Sequence, residues 1–382
     1  MRTPVMLLAT NLARGGAEMQ VALLALALRR HGWNVSVASL LEPSAFVEEL
    51  AACGIPVSSL RMRPGKVDPL AVTRFFSMLR RSRPSILHAH MFHANLMARS
   101  IRLVCPVPVL ISTIHSIAES SRRSAGVRRR DWLYRATDCL SDATVCVSAA
   151  GAKRYAAIRA VSRDRLRVIP NGVDTDLFRP DPGSRARMRE VLGVGDEFTW
   201  LAVGRLMWKK DYVTMLEAMA RQREGVLLIA GAGPLEEKLC ALAGELGVRV
   251  HFLGLREDIV DLMNASDGLV LSSVVEGLPM VLIEAAATGL PCVATDVGGV
   301  REAVLDGQTG FVVRIQDPIA LAAAMRRLAE LAPEARVRMA ESARAHALAQ
   351  FDMRTVVAQW EQLYLDRLEA ARLCGMEPPV DD

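Results

Sequence analysis

Short, almost wholly apolar segments alternate with amphipathic ones along this chain, twice over, and no other feature narrows the possible folds as far. Runs such as Val5-Met6-Leu7-Leu8-Ala9 and Val226-Leu227-Leu228-Ile229-Ala230 have no polar face. A strand apolar on both sides must be covered on both, which calls for parallel sheets flanked by helices. In the first half the pattern predicts strands near 4–9, 33–40, 55–60, 85–89, 108–114, 143–147 and 166–170. Helices are predicted over 16–30, 69–82, 92–103, 127–139 and 149–159. In the second half strands are predicted near 199–204, 226–231, 249–253, 268–272 and 291–295, with a short element at Gly310–Val313. Helices there begin near 209, 234, 257 and 279. The expected class is α/β, two doubly wound domains with a cleft at the carboxyl ends of the strands.

A length of 382 residues suits two domains. Turn formers across Asp174–Gly183 mark the seam, giving domains 1–178 and 179–352. After Asp317 only helices are predicted, at 317–331, 334–349 and 353–373, the last ending by 375 and packing back on the first domain. The longest unbroken apolar run, Val21–Leu28, is far short of a membrane span. The five apolar residues after Met1-Arg2-Thr3-Pro4 are too few for a signal-peptide core. The expected location is the cytoplasm, at the inner face of the membrane.

Seven cysteines show no Cys-x-x-Cys pair and no zinc spacing, and they read as reduced thiols. His88, His90 and His93 could suggest a metal. However, His88 and His90 share one side of a strand, His93 lies in the next helix, and no acidic residue joins them. No metal site is expected.

The net charge of +5 conceals a split. Residues 1–180 hold 26 Lys/Arg against 12 Asp/Glu, and the remainder 21 against 30. A first half this basic is expected to meet an anionic partner. Six arginines (122, 123, 128, 129, 130 and 135) cluster around Trp132 and Tyr134, which suits an anionic membrane surface. No nucleic-acid-binding module accompanies them, so nucleic acid is not the expected partner.

Five segments carry chemistry. Glu276 and Glu284 flank a Gly-x-Pro turn and an apolar helix of about ten residues closed by Gly289, with Pro279 in its first turn. The helix start suits an anion, and the carboxylates beside it suit hydroxyls; phosphate plus hydroxyls describes a nucleotide sugar. Arg205 ends one strand and Lys210 starts the next helix, and a guanidinium with an ammonium can neutralise a diphosphate. No Asp-x-Asp triplet is expected to hold Mg²⁺ in its place, which favours this reading. Gly15-Gly16, after the first strand, lets a backbone N–H approach a phosphate. Gly231-Ala232-Gly233-Pro234 reads as a similar turn. His115 ends a strand where its imidazole can reach a substrate hydroxyl.

In order, these segments resemble the group 1 glycosyltransferases (glycosyltransferase family 4) of the GT-B fold, with two Rossmann-like domains. The resemblance rests on Gly15-Gly16-Ala17-Glu18, Val168-Ile169-Pro170-Asn171-Gly172-Val173-Asp174, Gly204-Arg205 with Lys210, and Gly231–Pro234. It also includes Glu276 and Glu284 as a Glu-x7-Glu pair, and Pro291-Cys292-Val293-Ala294-Thr295-Asp296-Val297-Gly298-Gly299. It implies a retaining, metal-independent hexosyl transfer from a nucleoside-diphosphate sugar, with no other cofactor. The acceptor it implies is a glycan or lipid-linked precursor of a cell-envelope polysaccharide. By resemblance, Gly15 and Gly16 meet the donor phosphates, Arg205 and Lys210 clamp the diphosphate, and Glu284 holds the ribose. Glu276 contacts the sugar, flanked by the backbone of Gly277, Leu278, Pro279 and Met280, and His115 stands near the reacting carbon. Asp211 departs from the family, where many members carry Gly after the lysine. A nucleotide-sugar 2-epimerase of the same fold is the alternative; a non-catalytic, basic nucleic-acid-binding protein is a more distant one.

Overall fold

Parallel strands cannot be joined by tight turns, so each apolar run must be followed by a crossover element that covers the sheet. The computed structural model describes residues 3–63, 68–117 and 125–375. It divides into two compact units, Met1–Gly172 with Met353–Asp382, and Val173–Asp352.

In the first unit β1 (Pro4–Ala9), α1 (Gly16–Arg30), β2 (Asn34–Ser39), α2 (Val47–Ala52), β3 (Val57–Ser59), α3 (Pro69–Ser82) and β4 (Ile86–His90) lead to α4 (Phe92–Ile101). There follow β5 (Val109–Ile114), α5 (Ala125–Thr137), β6 (Ala143–Cys146), α6 (Ala149–Ala157) and β7 (Leu166–Val168). The second unit opens with α7 (Pro182–Leu192) and β8 (Thr199–Val203), then α8 (Tyr212–Gln222), β9 (Val226–Ala230), α9 (Glu236–Glu245), β10 (Val250–Gly254) and α10 (Ile259–Ala265). It continues through β11 (Gly268–Leu271), α11 (Met280–Ala287), β12 (Cys292–Thr295), α12 (Val300–Ala303) and β13 (Gly310–Val313) to α13 (Pro318–Ala329) and α14 (Pro333–Gln350). The last helix, α15 (Met353–Leu373), belongs to the first unit.

The sheets run β3-β2-β1-β4-β5-β6-β7 and β10-β9-β8-β11-β12-β13, with parallel pairing throughout. The order reverses between β1 and β4 and between β8 and β11. At such a reversal neighbouring loops leave the sheet on opposite faces and open a crevice at the strand ends. The loop carrying Gly15-Gly16 therefore leaves one switch point, and the loops carrying Arg205 and Glu276 leave the other.

Several predicted elements differ from those observed, for local reasons. The stretch Pro180-Asp181-Pro182-Gly183 reads as a linker, yet it starts α7. The Asp181 carboxylate accepts from the N–H groups of Gly183 and Ser184, Pro182 takes the first helical position, and Gly193 closes the helix in the left-handed conformation. The short helices α2 and α12 carry too little apolar periodicity to be seen in sequence. Helix α11 is eight residues long rather than about ten, and Pro279 stands just ahead of it instead of in its first turn.

Helix α15 completes the first unit's core. Val356, Val357, Trp360, Leu363 and Tyr364 are buried with Val21, Leu24 and Leu28 of α1 and with Trp33. Glu361 accepts from Trp33 Nε1 at 2.8 Å and lies 2.8 Å from His31 Nδ1. Gly172 meets the start of α15 so closely that a Cβ there would lie 2.5 Å from Met353 Sδ. The Gln20 side chain both donates to and accepts from the Gly172 backbone, at 2.6 and 2.7 Å. Leu363→Ala should therefore lower stability by about 2–5 kcal/mol; chemical denaturation read by Trp fluorescence measures this, and a loss below about 1 kcal/mol would show that α15 is peripheral.

Candidate functional site

The second unit's loops meet backbone against backbone, and only glycine permits it. Gly231 has φ +151, and a Cβ there would fall 2.0 Å from the Gly204 carbonyl oxygen; at Gly233 it would meet the Leu206 backbone at 2.5 Å. Gly204 N–H donates to Ala230 O and Leu206 N–H to Ala232 O, at 3.0 and 3.1 Å. These glycines therefore close-pack the loops after β8 and β9, where the sequence suggested an approach for a nucleotide. On the other side Gly298 (φ +58) would place a Cβ 2.4 Å from Glu276 O, and Gly299 N–H donates to Gly277 O at 2.6 Å. The loop after β12 thus supports the Glu276–Gly277 backbone.

Held this way, Lys210 and Glu276 come together, with Nζ 2.7 Å from Oε1 and both side chains mostly buried. A Cβ on Gly204 would lie 3.1 Å from Lys210 Cε, so the lysine stem runs over that glycine. Ser272 donates to the carbonyls of Lys210 and Asp211 at 2.7 and 2.8 Å, and Val274 N–H donates to Lys209 O at 2.8 Å. The end of β11 thus carries the lysine loop. Tyr212 completes it by donating to Gly204 O at 2.9 Å. Sequence reasoning missed Ser272 and Tyr212, because a serine after a strand and a tyrosine opening a helix are common. Asp211, the departure from the family, has φ +46, the conformation glycine serves elsewhere. Its carboxylate accepts from Thr214 Oγ1 at 2.7 Å, so the turn forms with Asp and Lys210 keeps its place.

Arg205 is exposed, and no described carboxylate pairs with it. Every residue of α11 is buried, Glu284 included, at 6% exposure. Burial pushes its carboxyl up to about 7. Leu278 and Met280 are buried as well.

Gly15, Gly16 and His115 belong to the first unit. Gly15 has φ −161, an ordinary extended conformation, and a Cβ there would fall 2.5 Å from Glu18 Oε2. The small residue makes room for the Glu18 carboxylate, which lies over the start of α1, where the sequence reading placed a phosphate. His115 follows β5, with Nε2 3.1 Å from His90 Nδ1, and burial lowers its pKa to about 4. The sequence does contain one Asp-x-Asp triplet, Asp174-Thr175-Asp176. Asp174 caps its own turn through the N–H groups of Asp176 and Leu177, and Thr175 donates to Asp352 at 2.5 Å. Among the described residues no cluster of three His, Cys, Asp or Glu could hold a metal ion.

Two family models match the chain: "Glycosyl transferases group 1" over residues 184–346 and "Glycosyltransferase Family 4" over residues 14–177. A glycogen synthase of Mycobacterium tuberculosis is 31% identical over 300 residues, covering 74% of this chain and 69% of that one. The chain belongs to the group 1 glycosyltransferases, glycosyltransferase family 4. A GDP-mannose-dependent alpha-(1-6)-phosphatidylinositol monomannoside mannosyltransferase of Mycolicibacterium smegmatis is 37% identical over 223 residues, 54% of this chain and 57% of that relative's length. An Escherichia coli UDP-Gal:alpha-D-GlcNAc-diphosphoundecaprenol alpha-1,3-galactosyltransferase is 28% identical over 261 residues, 65% and 67% of the two chains. Among solved structures, Anabaena HepE in complex with UDP-glucose has a TM-score of 0.84 at 24% identity, over 96% of this chain and 100% of that one. Sucrose-phosphate synthase from Thermosynechococcus elongatus has 0.83 at 24%, over 97% and 100%. At this identity the likeness establishes the fold, which is the GT-B class expected from the sequence.

The buried Glu284 sets a pH dependence. In the unfolded chain its carboxyl ionises near 4.5 and in the folded chain near 7. Between these values the folded state holds a proton that the unfolded state has released, so stability falls as pH rises through about 7. Below 4.5 both states are neutral there and nothing is lost. Glu284→Gln should therefore stabilise the protein by up to about 3 kcal/mol at pH 8 and by almost nothing near pH 4. Denaturation midpoints at the two pH values test this; a Gln variant equally or less stable at pH 8 contradicts it.

Proposed function

We propose that this protein is a retaining glycosyltransferase that moves a hexosyl group from a nucleoside-diphosphate sugar to a glycan or lipid-linked acceptor, without a metal. The observation that carries the reading is the Lys210–Glu276 pair at the switch point of the second sheet, with Arg205 beside it in the chain and Glu284 buried in α11. The mannosyltransferase and galactosyltransferase relatives are named for nucleotide-sugar donors and lipid-bearing acceptors, in keeping with it.

The chemistry follows from where charge develops. As the donor's glycosidic bond breaks, negative charge gathers on the departing diphosphate and positive charge on the sugar ring. An ammonium and a guanidinium serve the first, and a carboxylate close to the ammonium serves the second. Interactions stronger in the transition state than in the bound donor raise the rate. The ion pair fixes both groups beforehand, so little reorganisation is needed when charge moves. In this reading Glu276 is not a covalent nucleophile; the departing phosphate takes the acceptor's proton. Glu284 binds the ribose hydroxyls as an acceptor of charge-assisted hydrogen bonds, which favours its ionised form on donor binding. Arg205→Ala and Lys210→Ala should each lower kcat by about 10²–10³, with wild-type activity unchanged by EDTA. Loss of activity in EDTA with recovery on Mg²⁺ would sink the metal-free clamp. Conversion of the donor in the absence of any acceptor would favour the epimerase.

A second reading concerns the anionic partner. On α5 the side chains of Arg128 and Arg129 are exposed and Trp132 is 64% exposed, while Arg135 joins Arg159 and Arg163 around one surface depression. Arg130 differs from the expectation: it packs 4.6 Å over the Phe92 ring and belongs to the fold. Arg122 and Arg123 lie outside the described residues. No helix among the described residues is long and apolar enough to cross a membrane. This face suits reversible docking on an anionic bilayer, at about 1 kcal/mol per basic residue. The double charge reversal Arg128→Glu with Arg129→Glu should weaken binding to phosphatidylserine vesicles at least about tenfold and leave donor affinity unchanged. Equal sedimentation of wild type and variant would discard the membrane reading alone.

A further inference from the structure

A line of side chains in the first unit runs from α15 to His115, and the family resemblance gives a role only to its last member. The His88 ring has both nitrogens engaged, Nδ1 2.6 Å from the Tyr364 hydroxyl and Nε2 2.7 Å from Thr113 Oγ1. Trp360 packs against it, with ring centroids 4.6 Å apart. His88 is therefore fixed in plane and rotation, and the His90 ring packs on it with centroids 4.0 Å apart and planes tilted by 36°. His90 Nδ1 in turn lies 3.1 Å from His115 Nε2. His88 and His90 are fully buried on β4.

Burial lowers the pKa of all three rings, so they are neutral near pH 7. A hydrogen bond between two neutral imidazoles needs an N–H on one and a lone pair on the other. The tautomers are therefore tied together. If His90 carries its proton on Nδ1, His115 accepts at Nε2 and must carry its own proton on Nδ1. In the opposite arrangement both protons move to the other nitrogens. The remaining nitrogens, His90 Nε2 and His115 Nδ1, are buried without a partner. Whether His115 Nδ1 is a donor or an acceptor is thus tied to the tautomer of His90.

We propose that His90 is a positioning residue, whose Nδ1 contact holds the ring plane and a single tautomer of His115, with His88, Thr113 and Tyr364 as its backing. The inference rests on the reading of His115 as a group near the reacting sugar. His90→Phe keeps a stacked ring and removes the hydrogen bond; His90→Asn places an amide near the Nδ1 position and can restore it. With whichever of UDP-glucose, UDP-galactose or GDP-mannose supports turnover, His90→Phe should lower kcat at least about tenfold, with donor KM within about twofold. His90→Asn should keep at least a third of wild-type kcat. Nitrogen-15 NMR of His115 should show one tautomer in the wild type and a mixture in His90→Phe. An unchanged His115 spectrum in His90→Phe, or an unchanged kcat there while His115→Ala loses activity, overturns the proposal. An indifferent His115→Ala overturns the underlying reading of His115 instead, and the spectrum tells the two failures apart.

Discussion

Backbone pressed against backbone at the carboxyl ends of the second sheet is the constraint on which the rest of the site depends. The carbonyl of Gly204 occupies the space where a Gly231 side chain would stand, and the carbonyl of Glu276 the space where a Gly298 side chain would stand. Loops packed this closely have little room to shift, so the side chains they carry inherit fixed positions. Lys210 and Glu276 meet at 2.7 Å because their loops are supported from both sides, by β9 and β11 for the lysine and by β12 for the glutamate. A site on rigid supports meets a transition state with little reorganisation.

The same site works against stability. Glu284 is buried in α11 with its carboxyl displaced to about 7, a cost to the folded state at neutral and alkaline pH. Nothing in the packing of a helix so apolar requires a carboxylate at that position. Its presence is understood if the carboxylate serves hydroxyls of a bound ligand, as strain and buried charge gather where function needs them. The first unit shows a gentler version, since three neutral imidazoles fill space that aliphatic side chains could fill.

Much of the fold was legible because parallel strands and amphipathic helices write strong periodic signals. Lys210 and Glu276 could be singled out from their places at a strand end and a helix start, but their mutual contact could not, as it depends on register between loops 66 residues apart. The roles of Ser272 and Tyr212 were hidden for the same reason. Gly231 and Gly298 were visible as turn residues, yet their function as contact points appears only in three dimensions. Pro182 misled because a proline after an aspartate marks a helix start as readily as a linker. His90 was set aside with the metal question, since spacing along a strand does not reveal that a ring from the next strand accepts or donates across it.

The central claim is that Lys210 and Glu276 act as one unit on the departing diphosphate and the sugar. A double-mutant cycle on kcat/KM, using Lys210→Ala, Glu276→Ala and the double variant, tests it most directly. Residues acting as a unit are non-additive, so the double variant should lose little more than the worse single variant, with an interaction energy of at least about 1 kcal/mol. Losses that simply add, within about 0.3 kcal/mol, would mean that the two residues contribute independently and that the ion pair is only structural.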